Sequence, residues 1–138
     1  MKYVYVICLN ILIVCSCKIY PNLKNTKNVY IQFIGKPVDT QYISNRGLVF
    51  TSGFNDSLLI KQNEVILACD FFKTDISQSY TGVSLNVNKK RGVYIEIFDL
   101  KSKDGLLIEL LDGYKKIEIA KVNDKWSLIY TNTSIIFE

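Results

Sequence analysis

The chain has 138 residues, nine tyrosines, four cysteines and no histidine, with 17 basic against 13 acidic side chains and a net charge of +4. The missing histidine removes Ser-His and Cys-His nucleophile activation, histidine general-base catalysis and the usual histidine-containing zinc sites. The charges are interspersed, as in "KKIEIAK" and "KSKDG", so no block of one sign is offered to nucleic acid.

The chain opens with Lys2 and then an apolar run, residues 3–14, broken only by Asn10. A positive start followed by a short apolar stretch has the form of a secretory signal, and it is too short to span a bilayer. A buried first strand fits less well, because the run begins at Met1 and polar sequence follows it at residues 18–28. No second apolar run is long enough to cross a membrane, which predicts a soluble remainder.

Where the signal should end, Val14-Cys15-Ser16-Cys17 places an aliphatic residue, a tolerant position, a small residue and a cysteine in order. This resembles the lipobox of bacterial lipoprotein precursors. The resemblance implies that the Cys17 thiol is joined to a diacylglycerol, that the chain is cut between Ser16 and Cys17, and that the new amino group is acylated. Several acyl chains on one residue meet the requirement for stable anchoring that a single chain fails. Cleavage ahead of Cys15 would set bulky Val14 before the cut, so Cys17 is the expected site. The organisation read from this is a signal peptide at 1–16, a lipidated terminus and tether at 17–28, and a single β-domain at 29–138. Lys18 differs from the Asp that favours inner-membrane retention in enteric bacteria, and residues 17–28 carry no acidic residue. Together these point to an outer-membrane anchor facing the periplasm.

Cleavage leaves 122 residues, enough for one domain with a core, and losing Lys2 leaves 16 basic against 13 acidic side chains, a net +3. The mature chain keeps Cys17 and Cys69. The second lies in "EVILACDFF", where a cysteine is expected to act as a small inert hydrophobe.

From residue 28 onward the pattern predicts strands. "NVYIQFIG" reads as a strand ended by Gly35 and Pro37, "SNRG" as a turn, and "LVFTS" as a short strand. "SLLIKQNEVILACDFF" reads as a hairpin turning at Lys61, Gln62 and Asn63. Thr74 to Ser79 has room for no more than one helical turn. In "SYTGVSLNVN" Val83, Leu85 and Val87 share a face, and "NKKRG" reads as a hairpin turn with solvated charges. "GVYIEIFDL" puts Val93, Ile95 and Ile97 inward and Tyr94, Glu96 and Phe98 outward, by the two-residue period of a strand. Asp104-Gly105 and Asp112-Gly113 are hairpin dipeptides around "LLIELL". Ile117 and Ile119 point inward, "NDK" turns the chain, Trp126, Leu128 and Tyr130 share a core face, and "SIIFE" closes it. Eight to ten short strands at turn spacing predict an antiparallel β-sandwich of immunoglobulin or transthyretin type, with a small β-barrel as the alternative.

Candidate chemistry is sparse. Asp99, Asp104 and Asp112 lack the spacing of a calcium loop, and two of them precede glycines, where turns want them. Glu96, Glu109 and Glu118 lie mid-strand beside lysines and read as solvated charges; a hydrolytic pair would need two acids within about 5–10 Å in a cleft. No metal, cofactor or nucleic-acid partner is expected, and no enzymatic activity. The expected role is a lipid-anchored, protein-binding component of an envelope assembly, with Tyr94, Glu96 and Phe98 as the binding face. The alternative is an inhibitor or immunity factor against a periplasmic hydrolase, whose protruding segment would be "KTDISQSYTG", residues 73–82.

Overall fold

A computed structural model describes residues 29–39, 45–78 and 80–133. The segments read above as signal (1–16), lipobox with Ser16 and Cys17, and tether (17–28), together with "SIIFE", lie outside the described residues. Nine strands run in chain order: β1 (Val29–Ile34), β2 (Asn45–Phe50), β3 (Asn55–Gln62), β4 (Val65–Lys73), β5 (Val83–Asn88), β6 (Tyr94–Asp99), β7 (Gly105–Glu109), β8 (Lys116–Val122) and β9 (Lys125–Thr131). They form a five-stranded sheet, β1-β9-β8-β2-β5, packed on a four-stranded sheet, β4-β3-β6-β7. Each sheet has two outer strands that do not pair with the other sheet, so this is a sandwich and not a closed barrel.

Alternation builds the core. Ile95 and Ile97 on β6, Ile117 and Ile119 on β8, and Trp126, Leu128 and Tyr130 on β9 are all buried, as their spacing predicts. Leu58 and Ile60 on β3 and Leu48 and Phe50 on β2 complete the layer, each with no exposed surface. Burial of this kind contributes about 1.5–3 kcal/mol per large apolar side chain.

Two hairpins stand where the sequence indicates them. Asn123 and Asp124 both take left-handed conformations (φ 50° and 59°) between β8 and β9, the geometry that matches strand twist in a two-residue turn. Asn63 and Glu64 do the same between β3 and β4, which moves the turn two residues later than Lys61 and leaves Lys61 and Gln62 inside β3. The four-stranded sheet is antiparallel throughout, whereas β1 pairs with β9 and β2 with β8 in parallel. Only hairpins advertise themselves locally; partners far apart in sequence are free of that constraint, and here β1–β9 and β2–β8 run parallel while β2–β5 and β3–β6 run antiparallel.

Four local readings are corrected. "NKKRG" is not a hairpin turn: residues Lys89–Arg91 form one 3-10 turn that carries the chain from β5 in one sheet to β6 in the other. Gln62 anchors that crossing by donating from Nε2 to the carbonyls of Asn88 (2.8 Å) and Gly92 (2.9 Å). Asp112-Gly113 likewise sits in a crossing, from β7 to β8, rather than in a hairpin. Val93 is 38 % exposed instead of inward, because it lies ahead of β6 in the crossing, where the alternation has not begun. Asn45, Arg46 and Gly47, taken as a turn, open β2.

At one end of the sandwich the two sheets are bolted together. Lys121, on β8, donates from Nζ to Asp99 Oδ2 on β6 (2.6 Å) and to Asp56 Oδ2 on β3 (3.0 Å), and lies 4.6 Å from the centre of the Trp126 ring. Burial opposes the ammonium charge, but the bonds to both carboxylates outweigh it and hold the Lys121 pKa above the ordinary lysine value. Burial likewise opposes the Asp99 charge, and its bonds from Lys121, Ser102 and Lys101 prevail and hold its carboxyl below the usual range. Phe50, Phe54, Phe72 and Trp126 pack ring against ring beside this bridge. Gly53 (φ +85°) lets the β2–β3 crossing pass close to the Lys121 carbonyl, which a Cβ there would overlap.

Candidate functional site

The predicted binding stripe lies on the outer face of the four-stranded sheet. Tyr94 is half exposed, while Glu96 and Phe98 are partly buried. Register explains the gradient along β6. Phe98 lies beside Leu59 of β3, which is itself buried, with Cys69 of β4 next in line. Glu96 lies between Lys61 of β3 and Leu107 of β7. Tyr94 is opposite Glu109, at the margin of the sheet. Partial burial raises the Glu96 pKa, the nearby Glu64 charge adds to that, and Lys61 opposes it. The three residues therefore share one face as the alternation requires, and Tyr94 is its accessible member.

Tyr94 also belongs to a feature that the sequence does not announce. Between β1, the margin of one sheet, and β7, the margin of the other, runs a groove of about 450 Å³. Ile31, Phe33, Tyr94, Leu107, Leu111 and Tyr130 are prominent in its lining. Phe33 stacks on Tyr130 with ring centres 5.3 Å apart and leans on Tyr114 at 5.4 Å. Tyr130 donates its hydroxyl hydrogen to the Glu109 carbonyl (2.8 Å), tying β9 to β7 across the groove floor. Burial, reinforced by the Glu109 charge, pushes the Tyr130 pKa up to about 12, so it stays a neutral donor throughout the physiological range. Among the described residues of the groove lining, Glu109 is the one that carries a charge.

The remaining candidates resolve into structural roles. Asp99 Oδ1 accepts from the backbone of Lys101 (2.9 Å) and Ser102 (3.2 Å), and Asp104 accepts from the Gly105 backbone (2.8 Å) and from Trp126 Nε1 (3.3 Å). Asp112 pairs with Lys89 at 2.6 Å and lies 3.8 Å from buried Arg46, and the Lys89 bond above all lowers its pKa. These three aspartates serve the turn between β6 and β7 and the crossing before β8. Glu118 bonds Lys116 (3.1 Å) on the five-stranded sheet, on the other layer from Glu96 and Glu109. The acids that do converge are Asp56 and Asp99, and Lys121 sits between them. The Lys121 ammonium stands between these two carboxylates, 3.0 Å from one and 2.6 Å from the other. Cys69 is half-buried on β4 rather than sunk in the core. In the segment after β4, Asp75 accepts from Ser77 and Ile76 projects 93 % exposed.

Compared with protein-family models, with curated proteins and with solved structures, the chain matches none.

Proposed function

We propose that this chain is a lipid-anchored protein of the bacterial cell envelope, held through Cys17 at the outer membrane and facing the periplasm. Its β-domain acts without catalysis as a protein-binding component of a larger assembly. The anchor rests on Val14-Cys15-Ser16-Cys17. The binding role rests on one observation: apolar surface continues from Tyr94 and Leu107, 51 % and 38 % exposed, to Ile31 and Phe33, 51 % and 52 % exposed. Contiguous exposed apolar surface of this kind marks contact sites. Expression of Cys17→Ser should leave an uncut precursor, while Cys15→Ser should be processed normally. If Cys15→Ser blocks processing instead, the anchor is misassigned.

A second reading, an inhibitor or immunity factor against a periplasmic hydrolase, is favoured by Ile76 alone, a large apolar side chain projecting beside an Asp75–Tyr80 bridge. Ile76→Asp separates the two. It leaves partner capture unchanged under the first reading and abolishes it under the second.

A further inference from the structure

The four margins of the two sheets are not alike. Strands at a margin present unpaired N–H and C=O groups, and natural proteins guard them with charge, proline, irregularity or short length. On β4, Asp70 and Lys73 are exposed and the pairing with β3 slips between Ile60 and Lys61. On β5, Ser84 and Asn86 are exposed. The β7 strand has only five residues and carries Glu109. By contrast β1, VYIQFI, has six residues with no charge, no proline and no slip in its register.

The inner-face side chains of β1 are likewise only half covered. Ile31 and Phe33 lie in register with Leu128 and Tyr130 of β9, which are 1 % and 3 % exposed, yet they are themselves 51 % and 52 % exposed. One strand further out on the same inner face, the cover is gone. In a parallel ladder alternate residues turn their backbone groups away from the partner, so β1 also offers evenly spaced donors and acceptors along the groove.

We infer that the groove between β1 and β7 receives an extended segment of a partner protein, paired with β1, with apolar side chains at alternate positions and a basic side chain facing Glu109. The inference rests on the protein-binding reading and gives it a place and a partner chemistry. Strand addition of this type draws affinity from main-chain hydrogen bonds and specificity from the pockets that take alternate side chains. Charge selects the occupant. Among the described residues of the lining the one ionised side chain is an anion, Glu109, and β1 itself carries no cation. Residues 134–138, SIIFE, hold a glutamate and no cation. A partner strand bearing Lys or Arg satisfies Glu109; residues 17–28 of the chain, with Lys18, Lys24 and Lys27, are the competing occupant that an adduct within the chain would reveal.

The test uses the full chain in its own envelope, with a photoreactive residue placed in turn at Phe33, Phe98 and Ile76, followed by sequencing of the cross-linked peptides. The inference expects the Phe33 adduct to be a partner segment with alternate apolar residues and a Lys or Arg. That segment, made as a synthetic peptide, should slow exchange of the outward β1 amides at least about tenfold on the full chain. Glu109→Gln should weaken its binding several-fold and Glu109→Lys should abolish it, each without moving the melting temperature. An adduct to residues of the same chain or to a second copy overturns the inference. So does an acidic segment, a segment that leaves β1 exchange unchanged, or no Phe33 adduct at all. Partner adducts at Phe98 without one at Phe33 would remove the groove and keep the protein-binding reading; adducts at Ile76 alone would remove the groove and favour the inhibitor reading; no adduct at any of the three would remove both readings of the face.

Discussion

Around Lys121 the two sheets are closed on each other, with an ammonium shared between Asp56 and Asp99 and four aromatic rings filling the space beside it. Along β1 and β7 the same two sheets stay apart, and Ile31 and Phe33, covered on one side only, leave half of their surface to a groove. The first region has its complement within the chain. The second has polar and apolar groups in the right order for a complement and has none among the described residues. Stability is therefore expected to concentrate at the Lys121 end and recognition at the β1 flank, and substitutions in the two regions should differ in kind.

The largest effect belongs to Lys121. Lys121→Met leaves two carboxylates facing each other without a cation, one of them with only 2 % of its side chain exposed, and should cost about 3–5 kcal/mol in denaturant unfolding. Trp126→Ala at the same end should cost a similar ~3–5 kcal/mol, since its ring is buried against Phe54 and under Lys121. A loss below about 1 kcal/mol for either would mean that this end is not where the fold is held.

Next in size is the response to pH, which follows from the same bridge. The Asp99 carboxyl is held below its ordinary value of 3.8, so its contribution is complete above that value and is lost as the pH falls below it. The Lys121 ammonium is held above 10.5, so its contribution is complete below that value and is lost as the pH rises through the folded-state value. The bridge's contribution to the melting temperature should therefore be flat between those limits and fall outside them, with the raised Glu96 carboxyl adding only a small loss as the pH rises above 4.5, and in Lys121→Met both of the bridge's falls should shrink. Equal falls in the variant would assign the pH response to other groups.

Much of this architecture was legible in the sequence, and the reasons are local. Turns such as Asn123-Asp124 and the alternation of Trp126, Leu128 and Tyr130 are properties of neighbouring residues, so the β8–β9 hairpin and its buried face can be read directly. The Tyr94, Glu96 and Phe98 face was legible for the same reason. Its graded burial was not, because that depends on Leu59 and Leu107, which arrive from other strands. Asp112-Gly113 and "NKKRG" have hairpin chemistry, yet each carries the chain between sheets. A turn residue specifies a change of direction and is silent about which sheet comes next. Residues 56, 99 and 121 meet only through the fold, so the bridge had no sequence signal. The groove had a faint one: β1 is the strand at a sheet margin that has neither charge nor regularly spaced polar residues, but that matters only once its position at the margin is known.

Smaller effects should mark the open region. Tyr94→Ser combined with Phe98→Ser should reduce partner capture strongly, with a stability loss of roughly 1–2 kcal/mol carried mostly by the half-buried Phe98. Unchanged capture would move the contact away from the sheet face. Ile31→Ser should be milder still, below about 1 kcal/mol, because half of that side chain is already in water. It should nevertheless abolish adducts in the groove. A loss as large as that of Trp126→Ala would show Ile31 to be buried in solution, with the groove already filled.

Amide hydrogen exchange on the full chain in detergent, without partner, tests the contrast most directly. The account predicts that alternate amides from Val29 to Ile34, those turned away from β9, exchange close to the rate of an unstructured chain, while amides of β8 and β9 exchange only through global unfolding. Uniform protection across β1, matching that of β9, would mean that the flank is already paired and would contradict the account.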